Sequence, residues 1–268
     1  MGQISPQDDQ EQKARVQAYF SRTAAGYVTS PSHRHGNDLK LLIDLGEWES
    51  QQHALDIATG GGHTALAVAP YVAQIIVTDF TPTMLETARA FLISQGVTNA
   101  RFQIADAEDL PFATASFDRV TCRIAPHHFA NVTKAVQEAA RVLKPGGLFL
   151  LIDNIAPEDP VLDTFNNTVE KWRDSSHGRS YTQKEWQTFF VQAGLQVEYA
   201  EIFRKTHHYD DWTARAQMAD IEKTALAAYI LHSDESIQHY FEVHSDESAA
   251  LKDITMDTLL LKGRKPSA

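Results

Sequence analysis

The run Leu55-Asp56-Ile57-Ala58-Thr59-Gly60-Gly61-Gly62-His63-Thr64-Ala65 constrains the fold more than any other segment. It reads as an apolar strand, a glycine turn and the start of a helix. Glycine lacks a Cβ and tolerates positive φ, so such a turn lets backbone pass close to a ligand. The helix that follows aims unpaired N–H groups at the same place. Two later strands close on acids: Asp79 after Gln74–Thr78, and Asp106 after Arg101–Ala105. A nucleoside-shaped ligand lying across the ends of adjacent strands would meet all three segments.

The same strand–helix rhythm continues. Ala54–Ala58 reads as the first strand and His63–Ala69 as a helix ended by Pro70. Thr81-Pro82 is a helix start, a hydroxyl N-cap with proline at the first helical position. Met84, Leu85, Ala88, Phe91 and Leu92 follow at helical spacing, and Gly96 ends the run. Phe117–Cys122 and Leu148–Ile152 read as the fourth and fifth strands, with a helix over Val132–Leu143 and a turn at Lys144–Gly147. Repeated units of this kind imply a parallel sheet covered by helices on both faces.

Outside this core the expectations are looser. Residues 1–9 read as disordered, Gln10–Phe20 as a helix, Ser21–Gly36 as a loop and Leu39–Leu45 as a short helix. Beyond Asp153 come a helix over Val161–Arg173 and a helix from Thr182 through Ala193, where Glu185 completes a capping box. Leu195–Arg204 reads as a strand, Asp210–His244 as mostly helical and Ile254–Gly263 as a final strand.

Composition narrows the function. A net charge of −11 argues against a general nucleic-acid or membrane-surface binder, which needs clustered Lys and Arg. No stretch approaches the roughly 18 uninterrupted apolar residues of a spanning helix. The single cysteine, Cys122, excludes an internal disulfide and suits a cytoplasmic location.

Three ligand types use a strand–glycine–helix turn. The phosphate loop needs Gly-Lys-Ser/Thr, and Gly62-His63-Thr64 has no lysine. The dinucleotide fingerprint does match Gly60 to Ala65, with Asp79 about 20 residues on, so an NAD(P)-dependent oxidoreductase is an alternative. Asp56, inside the first strand, points elsewhere: a pyrophosphate has no use for that carboxylate, whereas a ligand with an ammonium group does. Asp106-Ala107, Leu110-Pro111-Phe112, Ser116-Phe117-Asp118 and Glu138 through Gly147 complete the pattern.

Together these motifs resemble the class I S-adenosylmethionine-dependent methyltransferases, most closely the ubiquinone/menaquinone-biosynthesis group and its small-molecule relatives. The resemblance covers about residues 10–155 well and the rest loosely. It implies a doubly wound α/β fold, a mostly parallel, Rossmann-like sheet of about seven strands with added helices as a lid. It divides the chain into a helical lid segment over 1–46, a cofactor-binding core over 47–155 and a part over 156–268 that completes the sheet and carries a helical substrate cap. It departs at Ala58, where the family often has glycine; alanine there costs little if its φ is negative. The resemblance implies that Ala58, Thr59, Gly60 and Gly62 pass under the methionine part of S-adenosylmethionine, with Asp56 near its ammonium. It implies that Asp79 accepts from both ribose hydroxyls and that Phe80 and Met84 sandwich the adenine. Asp106 would accept from the adenine amino group, the Ala107 N–H would meet a ring nitrogen, and Arg123 would line the floor. Tyr27 or His33, in a lid, would lie near the cofactor carboxylate. On residue chemistry alone Asp79 could instead cap the next helix, and Phe80 and Met84 could be plain core.

The acceptor expected is a small molecule, aromatic or quinone-like, with no metal and no nucleic acid; a homodimer stays open. His127 and His128 follow the fourth strand, where the methyl group would emerge. Either could act as a general base, and either could only shape the pocket. Trp172, His177, Tyr181, Trp186 and Trp212 would form the cap. His207-His208 with Asp210-Asp211 suggests a metal, but no third ligand at helical spacing supports one. A cofactor-binding protein without transferase activity is the remaining alternative.

Overall fold

The computed structural model describes residues 6–29 and 37–267, the side chains from 7 to 23 and from 38 on. One sheet organises the chain. Its strands are β1 (His53–Ile57), β2 (Gln74–Asp79), β3 (Ala100–Ile104), β4 (Phe117–Arg123), β5 (Leu143–Ile155), β6 (Gln196–His208), β7 (His244–Ser245) and β8 (Leu251–Arg264). The order is β3-β2-β1-β4-β5-β8-β6, with the short β7 paired to β8. β1 to β5 run parallel, and β8 is antiparallel to both its neighbours. The strand order reverses between β1 and β4, which opens a crevice at the carboxyl ends of those strands.

Helices cover both faces: α1 (Pro6–Thr29), α2 (Asn37–Leu45), α3 (His63–Val68), α4 (Pro82–Ser94), α5 (Val132–Val142), α6 (Pro160–Arg173), α7 (Gln183–Gln192), α8 (Tyr209–Arg215), α9 (Asp220–Leu231) and α10 (Glu235–Tyr240). α5 shows why. Val132, Ala135, Val136, Ala139 and Ala140 fall on one helical stripe and are all buried. With Val120, Phe149, Leu151 and Trp186 they form the core on one side of the sheet. Leu42, Val68, Leu85, Leu92, Ile75 and Leu150 form the core on the other. A third cluster, built on Phe165, Trp212, Leu226 and Phe241, holds the C-terminal helices together.

The strand and helix types match the sequence expectation, and several bounds move. α1 takes in Pro6–Gln10, expected disordered, and continues to Thr29 through the expected loop. The middle of this helix is packed down through buried Gln12, Tyr19 and Thr23, and helical order propagates from there toward both ends. Lys144–Gly147 is not a free turn: it lies within β5, with Gly146 at φ 77°. β6 runs on to His208, paired with β8 to Asp253. Thr182 and Glu185 do form a capping box at α7. Thr81 precedes α4 in extended conformation but its hydroxyl makes no cap bond; Asp79 Oδ1 takes the Thr81 N–H at 2.9 Å instead.

Candidate active site

Just past the ends of β1–β4 lies a cleft of about 940 Å³, its mouth included. Ala58, Thr59, Gly60 and Gly61 line one wall; Asp79, Phe80, Met84, Asp106 and Ala107 line another; Arg123 and Ile124 form the floor. A volume near 1,000 Å³ suits a cofactor-sized ligand. Most residues expected to hold the cofactor therefore meet in one place.

The turn is held by the acids around it. Gly60 has φ 57°, and its N–H donates to Asp79 Oδ2 at 3.1 Å. The Thr59 N–H donates to the Thr78 carbonyl at 2.8 Å. Asp79 spends one hydrogen bond on Thr81 and one on Gly60, and a carboxylate has acceptor sites left for a ligand. Burial, reinforced by the charge of Asp56, pushes the Asp79 carboxyl up to about 6 against the pull of its backbone donors.

Three expected residues sit differently. Asp56 is fully buried and does not line the cleft; Thr59 and Thr121 hydroxyls donate to its two oxygens at 2.6 and 2.7 Å. Burial pushes it, too, up to about 6, although both hydroxyls and Arg123 oppose the shift. Its place is beneath the turn, holding Thr59. Gly62 (φ 86°) faces α4, where an added Cβ would stand 3.4 Å from Ala88 Cβ. Ala58 has φ 51°, not the negative value expected, and Ile124 on the floor has φ 52°. Two non-glycine residues in the left-handed region, one of them β-branched, concentrate backbone strain at the cleft. His33 lies outside the described residues, and so does the side chain of Tyr27.

α1 closes one side of the cleft with Lys13, Val16 and Phe20. Lys13 Nζ lies 2.7 Å from Asp106 Oδ2 and 2.8 Å from Glu108 Oε2. Burial alone would lower its pKa, but the two carboxylates outweigh it and raise the value. Sequence reasoning missed Lys13, since nothing in α1 marks one lysine as facing two acids about 95 residues away.

The two histidines divide. They sit on a single 3-10 turn, Pro126–His128, beyond β4. His128 lines the cleft, and its Nδ1 faces the Ser176 carbonyl at 3.1 Å. Burial and the neighbouring His127 push it down to about 3, so it is a weak base. His127 turns away from the cofactor cleft; its Nδ1 meets Asp153 Oδ1, at the end of β5, at 2.6 Å. Burial would lower its pKa, yet the carboxylates of Asp153, Glu170 and Asp174 prevail and raise it above the ordinary histidine value. With Nδ1 engaged, Nε2 is the nitrogen left to meet a substrate. Asp153 was missed because it lies inside β5, two residues before its end, where no turn motif marks it.

The expected aromatic cap separates as well. His177 joins the histidines, its ring 5.4 Å from that of His127. Trp212 packs under Arg173 and His207. Trp186 is instead core beneath α5, against Tyr181 and Phe189. Trp172 is 41% exposed beside Tyr229. His208 pairs with Asp253 at 2.5 Å, and the described residues hold no group of three metal-binding side chains. Burial raises the Cys122 thiol well above its usual range, which removes it as a nucleophile.

The sheet order and the cleft define a Rossmann-like methyltransferase fold, and comparisons with known proteins agree. Residues 55–151 match the methyltransferase domain family. The chain is 39% identical over 246 residues to an uncharacterized methyltransferase, YcgJ, of Bacillus subtilis, covering 92% of this chain and 97% of that one. A demethylmenaquinone methyltransferase of Deinococcus radiodurans is 40% identical over 159 residues, 54% of this chain and 63% of the relative. The crystal structure of a methyltransferase from Bacillus halodurans superposes with a TM-score of 0.84 at 38% identity, over 87% of this chain and all of that one. The chain belongs to the S-adenosylmethionine-dependent methyltransferases. The oxidoreductase and non-catalytic alternatives fall with that assignment. No helix of the described residues is long and apolar enough to cross a membrane.

Proposed function

We propose that the cleft binds S-adenosylmethionine and that the methyl group passes to a small aromatic or quinone-like acceptor beside the Pro126–His128 turn. The observation that carries this reading is the meeting of the glycine turn, Asp79, Phe80, Met84 and Asp106 around one cleft of cofactor size. The demethylmenaquinone methyltransferase among the relatives supports the choice of acceptor class.

The cofactor supplies an electrophilic methyl group on a sulfonium. Asp79 holds ribose hydroxyls, Phe80 and Met84 hold the adenine, and Asp106 with the Ala107 N–H reads its edge. The Ala58–Gly61 backbone carries the methionine part, while Asp56 fixes the turn from below. Tyr27 or His33 is assigned to the cofactor carboxylate on the resemblance alone, since His33 and the side chain of Tyr27 lie outside the described residues. Alignment is the main contribution, able to lower a barrier by about 7–11 kcal/mol. His127, oriented by Asp153, takes the acceptor proton at Nε2 where one must leave. His128, nearly always neutral, shapes the wall between the two ligands.

Calorimetry with S-adenosylhomocysteine tests the cofactor site. Micromolar binding is expected, with none for NAD. Hydrogen bonds to a charged acceptor contribute roughly 1.5–3 kcal/mol, so Asp79→Ala should weaken binding at least tenfold. Unchanged affinity in that variant would remove the ribose assignment.

A further inference from the structure

Resting on that reading, two adjacent residues of α1 touch both halves of the site. Lys13, Val16 and Phe20 stand at helical spacing along one stripe of α1 and line the cleft. Gln12, Tyr19 and Thr23 form the stripe beside it and are buried. Lys13 meets Asp106 and Glu108, the acids assigned to the adenine end. Gln12, one residue earlier, reaches the histidine turn instead. Its Nε2 donates to the His128 carbonyl at 3.0 Å and to the Ser176 carbonyl at 2.7 Å.

The partners of Gln12 fix its orientation. Carbonyl oxygens only accept, so the amide nitrogen must face them, and Arg15 Nη2 donates to the amide oxygen at 2.8 Å. Gln12 joins two segments that are far apart in the chain. Gly178 and Arg179 N–H groups already hold the His127 carbonyl at 2.9 and 3.1 Å, and Gln12 fastens one further carbonyl of each segment. The fit is close: a Cβ on Gly178 would stand 3.1 Å from the His127 carbonyl oxygen and 3.4 Å from Gln12 Nε2. Phe20 adds an edge-on ring contact to His128, 4.9 Å between centres.

At the cofactor end, Lys13 holds the acids in place. Asp106 Oδ1 takes the Glu108 N–H at 2.9 Å, and Oδ2 takes Lys13. Glu108 Oε1 takes the Asn131 N–H at 2.9 Å, and Asn131 caps α5 just beyond the histidine turn. A ligand in the cleft meets the wall of Lys13, Val16 and Phe20 only while α1 is docked. That is the differential affinity a conformational shift requires. A helix is stiff, so docking at Lys13 carries Gln12 onto the turn.

We propose that Gln12 is a positioning residue for the acceptor site and that, through Lys13 beside it, α1 couples the two ligands. Cofactor in the cleft holds α1 down, α1 sets the turn that carries His127 and His128, and the acceptor then meets a finished wall. Gln12 is not part of the cleft lining, and Lys13 makes no hydrogen bond to the turn among the described residues. Each therefore reaches the other's site through the helix they share.

The test reads each change at the distant site. On the full chain, calorimetry gives S-adenosylhomocysteine affinity, and mass spectrometry gives amide exchange of the 174–180 loop with and without that ligand. In the parent, S-adenosylhomocysteine should slow exchange in the loop. Gln12→Glu sets an oxygen against the two carbonyls and should weaken S-adenosylhomocysteine about fivefold or more, although it touches nothing in the cleft. Lys13→Met should speed exchange in the loop while β4 exchanges at the parent rate, and Lys13→Arg should restore the loop. The double variant should lose less affinity than the product of the single losses, because a helix already released cannot be released again. Gln12→Leu, which also lacks the donors, carries the same expectation if circular dichroism shows that Gln12→Glu does not fold. Unchanged S-adenosylhomocysteine affinity in the Gln12 variants, a loop unmoved by the ligand in the parent or by Lys13→Met, or losses that simply multiply would overturn the proposal. Failure of the parent to bind S-adenosylhomocysteine would instead bring down the cofactor reading.

Discussion

The cleft at the glycine turn and the buried polar cluster around His127 are built differently. Around the cofactor cleft, polar groups are satisfied by near neighbours: Asp56 by Thr59 and Thr121, Asp79 by Thr81 and Gly60. The buried cluster around His127 gathers side chains from β5, α6 and the 174–180 loop, and it leaves Asp153 Oδ2, Asn166 Nδ2, Glu170 Oε1, His177 Nδ1 and Ser180 Oγ without a hydrogen-bond partner. On the reading proposed above, the first is the socket for the cofactor and the second the chamber that meets the acceptor. Changes in the socket should therefore act on cofactor affinity, and changes in the chamber on turnover.

The largest effect should come from the chamber. His127→Ala should keep S-adenosylhomocysteine affinity and lose kcat by about 10²–10⁴ for an acceptor that must shed a proton. The pH profile supplies the check that a merely structural role would not meet. His127 binds its proton more tightly than an ordinary histidine because of Asp153, so it becomes a base only as pH rises through that raised value. The rising limb of the rate should lie above the ordinary histidine range, and Asp153→Asn should move it to lower pH. A profile unmoved by Asp153→Asn would leave His127 a pocket wall.

In the socket, Gly60→Val should abolish S-adenosylhomocysteine binding while the circular dichroism stays near native. Gly60 sits at φ 57°, which a β-branched residue resists, and its added carbon would point toward Met84 Cε at 3.7 Å. Normal binding by this variant would separate the turn from the cofactor. The smallest effect should come from Ala58→Gly. An L-residue in the left-handed region costs about 1–2 kcal/mol, part of which glycine returns to the unfolded chain as entropy. A net gain of about 1 kcal/mol would raise Tm by about 2–4 °C. No gain would mean that the φ of 51° at Ala58 is not strained in solution.

Much of the socket was legible because it is local. Gly60, Asp79, Phe80 and Met84 stand within one strand–helix–strand unit, where short connections bring chain neighbours together in space. Even so, chain order did not reveal direction. Asp56 and Gly62 belong to the motif but turn away from the cleft, one beneath the turn and the other into α4. Nor does a residue name disclose φ at Ala58 or Ile124, because that conformation is imposed by the sheet edge around them.

The sequence by itself determined the strand–helix alternation and the parallel sheet, since apolar periodicity and turn chemistry are properties of adjacent residues; the family came from the resemblance its motifs carry. Only the tertiary structure decided which histidine is paired with Asp153, which one lines the cleft, and where Lys13 closes that cleft. Each of those depends on the field and burial that groups far apart in the chain create for one another. His127 and His128 are neighbours in sequence, yet Asp153 raises the pKa of one while burial beside the first drives the other down to about 3. Burial and long-range charge are set by packing, and no local pattern encodes them.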